Sequence, residues 1–218
     1  MFKSTEKEAE GIIVEKKSKF IANIYYVETE EEAESRINEI RKKYHDARHH
    51  CFAYRIYKDG QTISRQSDDG EPSGTAGAPM LNILEKQDLA NVLLVVTRYF
   101  GGILLGTGGL VKAYSDASKK AIENSNIVNK EDGYEIEVTL NYENIADFEH
   151  FCTQKALNII RKEFTDKIKF IVEISKDKYD KNVEKGLKIN YQNLPVKILK
   201  TKFITINGKN WKIKAFAT

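Results

Sequence analysis

Apolar positions in this chain change period several times, and each change marks an element. The stretch GIIVEKKSKFIANIYYV (11–27) is rich in Ile, Val, Tyr and Phe and predicts two short strands or one bent one. Thr29-Glu30-Glu31-Glu32 forms a capping box, and Ala33, Ile37, Ile40 and Tyr44 follow at helical spacing. Acids in the first turn and Arg41-Lys42-Lys43 in the last complement the helix dipole, so a helix is expected here. CFAYRIY and QTISRQ flank Lys58-Asp59-Gly60, whose Asp-Gly pair predicts a hairpin. SDDGEPSGTAGAPM (67–80) is dense in loop formers; a helix is expected over 79–86, with Ser73 or Thr75 able to cap it. NVLLVVTRYF reads as a buried strand, and Leu110, Tyr114, Ala117 and Ala121 mark one face of a helix beyond a glycine-rich loop.

A polar break at 129–133 (NKEDG) separates this part from a second pattern. There Ile136, Val138, Leu140 and Tyr142 alternate, as on a half-buried strand. A helix is expected near 144–157, strands near 159–164 and 168–174, a helix over 177–190 and a strand from Val196. This βαββαβ order is that of the ferredoxin-like split βαβ unit. A terminal hairpin, FITINGKNWKIKAF (203–216), turns on Asn207-Gly208. The reading is α+β in two domains, 1–132 and 133–218.

Composition narrows the classes. At 218 residues, with 41% hydrophobic and 31% charged positions, the chain has a globular make-up and room for two cores. The aliphatic run 92–96 is too short to cross a bilayer, and the charged start MFKSTEKEAEG has no signal-like apolar stretch, so no membrane partner is expected. Cys51 and Cys152 make no disulfide framework, which points to a reducing cytoplasm. The net charge of +3 is unevenly placed: from Gly133 onward 16 Lys/Arg face 11 Asp/Glu, against 19 and 21 before it. Six lysines and no acid lie between Lys197 and Lys214. Such a stripe is the footprint of a surface facing nucleic acid or the ribosome, or of lysine solvating exposed strands.

Three clusters could carry chemistry. TRYFGGILLGTGGLVKAY (97–114) joins a strand to a helix, where phosphate loops sit. A Walker loop over Gly101–Gly106 needs a lysine where Thr107 stands, and a dinucleotide fingerprint from Gly106 needs a glycine where Val111 stands. No nucleotide cofactor is expected. What remains is either a helix N-terminus capped by Thr107 and able to hold a phosphate, or glycines that permit a sharp turn and close packing. In ARHHCFAYR (47–55), period two puts His49 and Cys51 on one face and His50 on the other, so the three cannot converge on a metal. A Cys51–His49 nucleophilic pair competes there with a buried thiol and a satisfied histidine. Asp68-Asp69-Gly70-Glu71-Pro72 offers three carboxylates but no EF-hand pattern, and no metal is expected.

Four ordered motifs, SKFIA (18–22), ARHHCFAYRI (47–56), SDDGEPSGTAGAPM (67–80) and VVTRYFGGILLGTGGLVKAYSDA (95–117), resemble the YigZ/IMPACT family. Residues 133–200 resemble the smaller C-terminal domain of its bacterial YigZ-type members. The resemblance implies an N-terminal fold like the second domain of a small-subunit ribosomal protein, with a left-handed βαβ crossover, and a ferredoxin-like second domain. It also implies a part in translation, which eukaryotic IMPACT proteins regulate. The expectation is a non-enzymatic, cofactor-free cytoplasmic protein that binds RNA or a ribosome-associated partner. Its contact surface would comprise Lys19, His49, Arg55, Asp69, Glu71 and Arg98, the backbone of Gly101, Gly102 and Gly106, and Lys200, Lys202 and Lys212. Lysines and arginines would meet phosphate, and the glycines would allow close approach. The alternative is a hydrolase-like enzyme or small-ligand binder that uses Cys51/His49 or Asp69/Glu71.

Overall fold

The computed structural model describes residues 1–58, 60–183, 186–189 and 192–206. They fall into two compact units, 2–129 and, together with Met1, 130–206. The fold is α+β.

The first unit contains β1 (Phe2–Thr5), β2 (Ala9–Glu15), β3 (Ser18–Tyr26), α1 (Glu30–Lys43), β4 (His49–Lys58), β5 (Gln61–Ser67), α2 (Gly77–Lys86), β6 (Val92–Tyr99) and α3 (Gly106–Asn124). Five strands form a sheet in the order β2-β3-β6-β4-β5, with every neighbouring pair antiparallel. β6 holds the centre because it is apolar on both sides. Val92, Leu94 and Val96 pack with α2 and α3, while Leu93 and Val95 pack with Ala33, Ile37 and Ile40 of α1. β3 and β4 flank β6 and run in the same direction, linked by α1, so the crossover has a strand inserted into it.

The capping box starts α1: Thr29 Oγ1 accepts the Glu32 N–H at 3.1 Å. The returning Glu32 carboxylate accepts the N–H of Glu28, at 2.7 Å, one residue before the cap. The 11–27 stretch is two strands, folded back at Lys16-Lys17 with φ of 45° and 64°. Phe2–Thr5 is a strand that the short polar N-terminal sequence did not announce.

The second unit contains β7 (Ile127–Leu140, entered from the first unit), a 3-10 turn (Tyr142–Asn144), α4 (Ile145–Gln154), β8 (Asn158–Phe164), β9 (Ile168–Ser175), α5 (Lys176–Asn182), β10 (Leu187–Ile189), β11 (Gln192–Leu194) and β12 (Val196–Ile206). Its strands pair in the order β8-β9-β7-β12, that of a ferredoxin-like unit, and the long β7 also pairs with β1. Ile136, Val138 and Leu140 of β7 and Phe170 and Val172 of β9 pack with Phe148 and Cys152 of α4. The sequence reading differs from the structure at three places here. Residues 129–133 lie inside β7, because neighbouring strands supply a hydrogen-bonding ladder that a polar run does not forbid. Tyr142 has left the strand for the turn and is half exposed. The helix expected over 177–190 stops at Asn182; Gly186, at φ 97°, bonds back to the Val183 carbonyl at 2.8 Å, and the chain continues as the β10–β11 hairpin. Of the expected terminal hairpin, residues from Asn207 on lie outside the described residues. Among the described residues, no helix is long and apolar enough to cross a membrane.

Candidate functional site

The acid-rich loop after β5 is tied down by its carboxylates. Asp68 accepts the N–H groups of Gly74 (2.8 Å), Ala76 (2.9 Å) and Gly77 (2.8 Å), and so caps α2 from eight and nine residues upstream. Burial pushes the Asp68 carboxyl up, but the three N–H donors outweigh it and hold its pKa below the usual carboxylate range. The expected cap residue Thr75 instead donates its hydroxyl to the Pro72 carbonyl at 2.6 Å. Asp69 pairs with Arg41 at 3.0 Å and accepts the His50 N–H at 2.7 Å. Glu71 accepts two bonds from Arg98 Nη1, at 2.7 and 2.9 Å, and one from the Tyr114 hydroxyl at 2.8 Å. All three carboxylates are thus engaged by protein donors. Among the described residues, no group of three or more His, Cys, Asp or Glu side chains converges as a metal site.

This network corrects the placement of Arg98. Its side chain is 7% exposed and that of Glu71 is 3%, so neither lies on an RNA-facing surface. The reason is parity: Arg98 follows Val92, Leu94 and Val96 on the face of β6 that packs against α3. Arg55 is likewise turned inward. Its Nη1 donates to the carbonyls of Leu84 (3.3 Å) and Leu89 (2.9 Å), at and just beyond the end of α2. His49 is half-buried, with Nδ1 2.9 Å from the Asp69 carbonyl oxygen, and His50 Nε2 lies 3.1 Å from the Tyr44 carbonyl oxygen.

The Cys51–His49 pair of the enzyme alternative is not formed. The Cys51 thiol donates to the Asp68 carbonyl at 2.9 Å, and its sulfur lies 3.3 Å from the Tyr114 hydroxyl oxygen. Burial, assisted by the charges of Glu71, Asp69 and Asp68 and opposed by the Tyr114 bond, pushes its pKa up to about 12. Such a thiol is protonated at neutral pH and is a poor nucleophile.

The glycine loop is built around the β2–β3 turn. A Cβ on Gly101 would lie 2.0 Å from the Lys17 carbonyl carbon, and the Gly101 N–H donates to Ser18 Oγ at 3.1 Å. Gly102 and Gly106 have φ of 82° and 73°, and a Cβ on either would meet nothing within 4 Å. Thr107 does not cap α3: Leu105 holds the cap position, and no side chain satisfies that end. Gly106, Thr107 and Gly108 are exposed there. Around the loop stand Lys16, Lys17 and Lys19, all exposed, with Lys19 opposite Tyr99 in the sheet. Phe100 is 49% exposed, Ile103 43% and Leu104 81%. Lys16, Lys17 and Phe100 were missed from sequence; the signal was two lysines standing alone between two β-rich runs.

The lysines expected on β12 have acidic partners. Lys200 lies 3.2 Å from Glu135 and Lys202 3.9 Å from it, and Lys202 also pairs with Glu173. Burial pushes the Glu173 carboxyl up, but its bonds from Lys202 and Asn158 prevail and hold it low. Lys212 lies outside the described residues.

The Impact N-terminal domain matches residues 16–122, and a domain of unknown function (DUF1949) matches residues 138–183. Over 127 residues the chain is 46% identical to the IMPACT family member YvyE of Bacillus subtilis (strain 168), which covers 58% of this chain and 58% of YvyE. It is 38% identical over 151 residues to the IMPACT family member YigZ of Escherichia coli (strain K12), covering 68% of this chain and 74% of that one. A crystal structure of a hypothetical protein superimposes with TM-score 0.60 and 32% identity, over 83% of this chain and 88% of that one.

Proposed function

The chain belongs to the IMPACT family, and from that premise we propose that it acts in translation by binding RNA or a ribosome-associated partner through its first unit. One observation carries this reading. Lys16 and Lys17 have no acidic partner among the described residues, and their turn packs against Gly101, in the loop that leads into the uncapped N-terminus of α3. Unpaired lysines attract a polyanion at long range, and open helix N–H groups suit phosphate oxygens. The buried Cys51 thiol and the engaged carboxylates of Asp69 and Glu71 weigh against the hydrolase alternative.

Co-sedimentation of the purified protein with ribosomes and with free RNA, over a salt series and with a ribonuclease-treated control, tests the proposal. Binding that falls steeply with salt is expected for phosphate contacts. No pelleting with ribosomes or RNA at low salt would overturn it.

A further inference from the structure

The exposed tip of the first unit joins two features that neither the buried network nor the β12 lysines explain. At Lys16-Lys17 both residues of a two-residue hairpin turn lie in the left-handed region, which favours Asn and Gly. The turn is held in place by Gly101, whose Cα sits directly against the Lys17–Ser18 peptide. Next to Gly101 stands Phe100, whose ring rests 5.5 Å from the Arg98 guanidinium while about half of the residue remains exposed. Ile103 and Leu104 extend the apolar surface into the loop. The fold therefore brings a backbone turn that carries two exposed lysines beside the residue next to a half-exposed aromatic ring.

We infer that this tip is a binding site for single-stranded RNA, with a base stacked on Phe100 and the adjoining phosphates on Lys16 and Lys17. The inference rests on the RNA reading above and says which RNA and where. Aromatic platforms beside a cationic track are how proteins hold unpaired strands, because every base has a π-face and stacking needs no sequence match. A duplex hides those faces and offers only its backbone. A protein partner fits less well, since lysine is depleted at protein interfaces, and here two unpaired lysines adjoin the apolar centre. Ile103 and Leu104 then pack against ribose and base edges.

The test is fluorescence anisotropy with a fluorescein-labelled oligouridine and a labelled RNA duplex of equal length, over a salt series. The proteins are wild type, Phe100→Leu, Phe100→Trp and Lys16→Gln/Lys17→Gln, each checked for an unchanged melting curve. Wild type binds the single strand more tightly than the duplex. Phe100→Leu keeps the apolar bulk but loses about tenfold in affinity with the salt slope unchanged, and Phe100→Trp restores it. The lysine variant flattens the slope by about 0.7 per lost phosphate contact. Equal affinity for the duplex, or a Phe100→Leu protein that binds like wild type, overturns this site while leaving RNA binding itself intact. Ribosome pelleting that survives ribonuclease, with no oligouridine binding, assigns the tip to a protein partner and overturns it as well.

Discussion

Replacing Glu71 by alanine removes one half of the ion pair that keeps Arg98 inside the first unit. The magnitude follows from the burial of the pair, 3% exposed for the carboxylate and 7% for the guanidinium. Breaking a buried pair from one side leaves an uncompensated charge and costs about 3–5 kcal/mol. The Tyr114 hydroxyl also loses its acceptor, worth about 1 kcal/mol. The low end of that range with the lost Tyr114 bond gives about 4 kcal/mol in all. Replacing both partners, Glu71→Leu with Arg98→Met, removes the charge altogether and should recover most of that loss. Urea unfolding at neutral pH, followed by circular dichroism and fitted for each unit, measures all three proteins. A Glu71→Ala protein within about 1 kcal/mol of wild type would refute the reasoning, because a pair that weak would leave Arg98 free to serve a ligand.

Asp68→Ala leaves the buried N–H groups of Ala76 and Gly77 without an acceptor, while that of exposed Gly74 turns to water, so a loss of about 2–4 kcal/mol is expected by urea titration. Because the folded Asp68 pKa is depressed, its contribution is present above the unfolded carboxylate pKa of about 3.9 and is lost as pH falls through the folded value; an acid titration of wild type against Asp68→Asn should show this. Gly101→Ala should fail to fold or melt far lower, its methyl being forced to 2.0 Å from the Lys17 carbonyl carbon. Gly108→Ala, with nothing within 4 Å, should be neutral or gain up to about 1 kcal/mol; equal melting temperatures for the two variants would contradict both statements. Cys51 should resist a disulfide reagent at mildly alkaline pH until urea opens the fold, since burial raises its pKa to about 12. Through that same group stability should decline above about pH 8.5, where only the unfolded thiol ionises; fast labelling of the native protein would count against the buried placement.

What could be read from the sequence was what local pattern determines. The α1 start is encoded in four consecutive residues, and the double-faced burial of β6 follows from an unbroken VLLVV run. Parity was sufficient to turn Arg98 inward, since it continues Val92, Leu94 and Val96, but its partner Glu71 is 27 residues away in a loop without periodicity. Lys200 and Lys202 read as a free basic stripe because their neutralising acids, Glu135 and Glu173, come from β7 and β9 and meet them only once the sheet forms. Asp68 was one of three acids of similar appearance; its capping role depends on a loop that doubles back over eight residues. The Lys16-Lys17 turn carried neither Gly nor Asn, so no turn chemistry marked it.

On the proposed function, the lysines of the β2–β3 turn, and not those of β12, face RNA. The salt dependence of oligouridine affinity decides this when Lys16→Gln/Lys17→Gln is compared with Lys200→Gln/Lys202→Gln. A weaker affinity and a slope flatter by about 0.7 per lost contact are expected for the first variant, with the second indistinguishable from wild type. A flattened slope for the β12 variant, with the turn variant binding as wild type does, would contradict it.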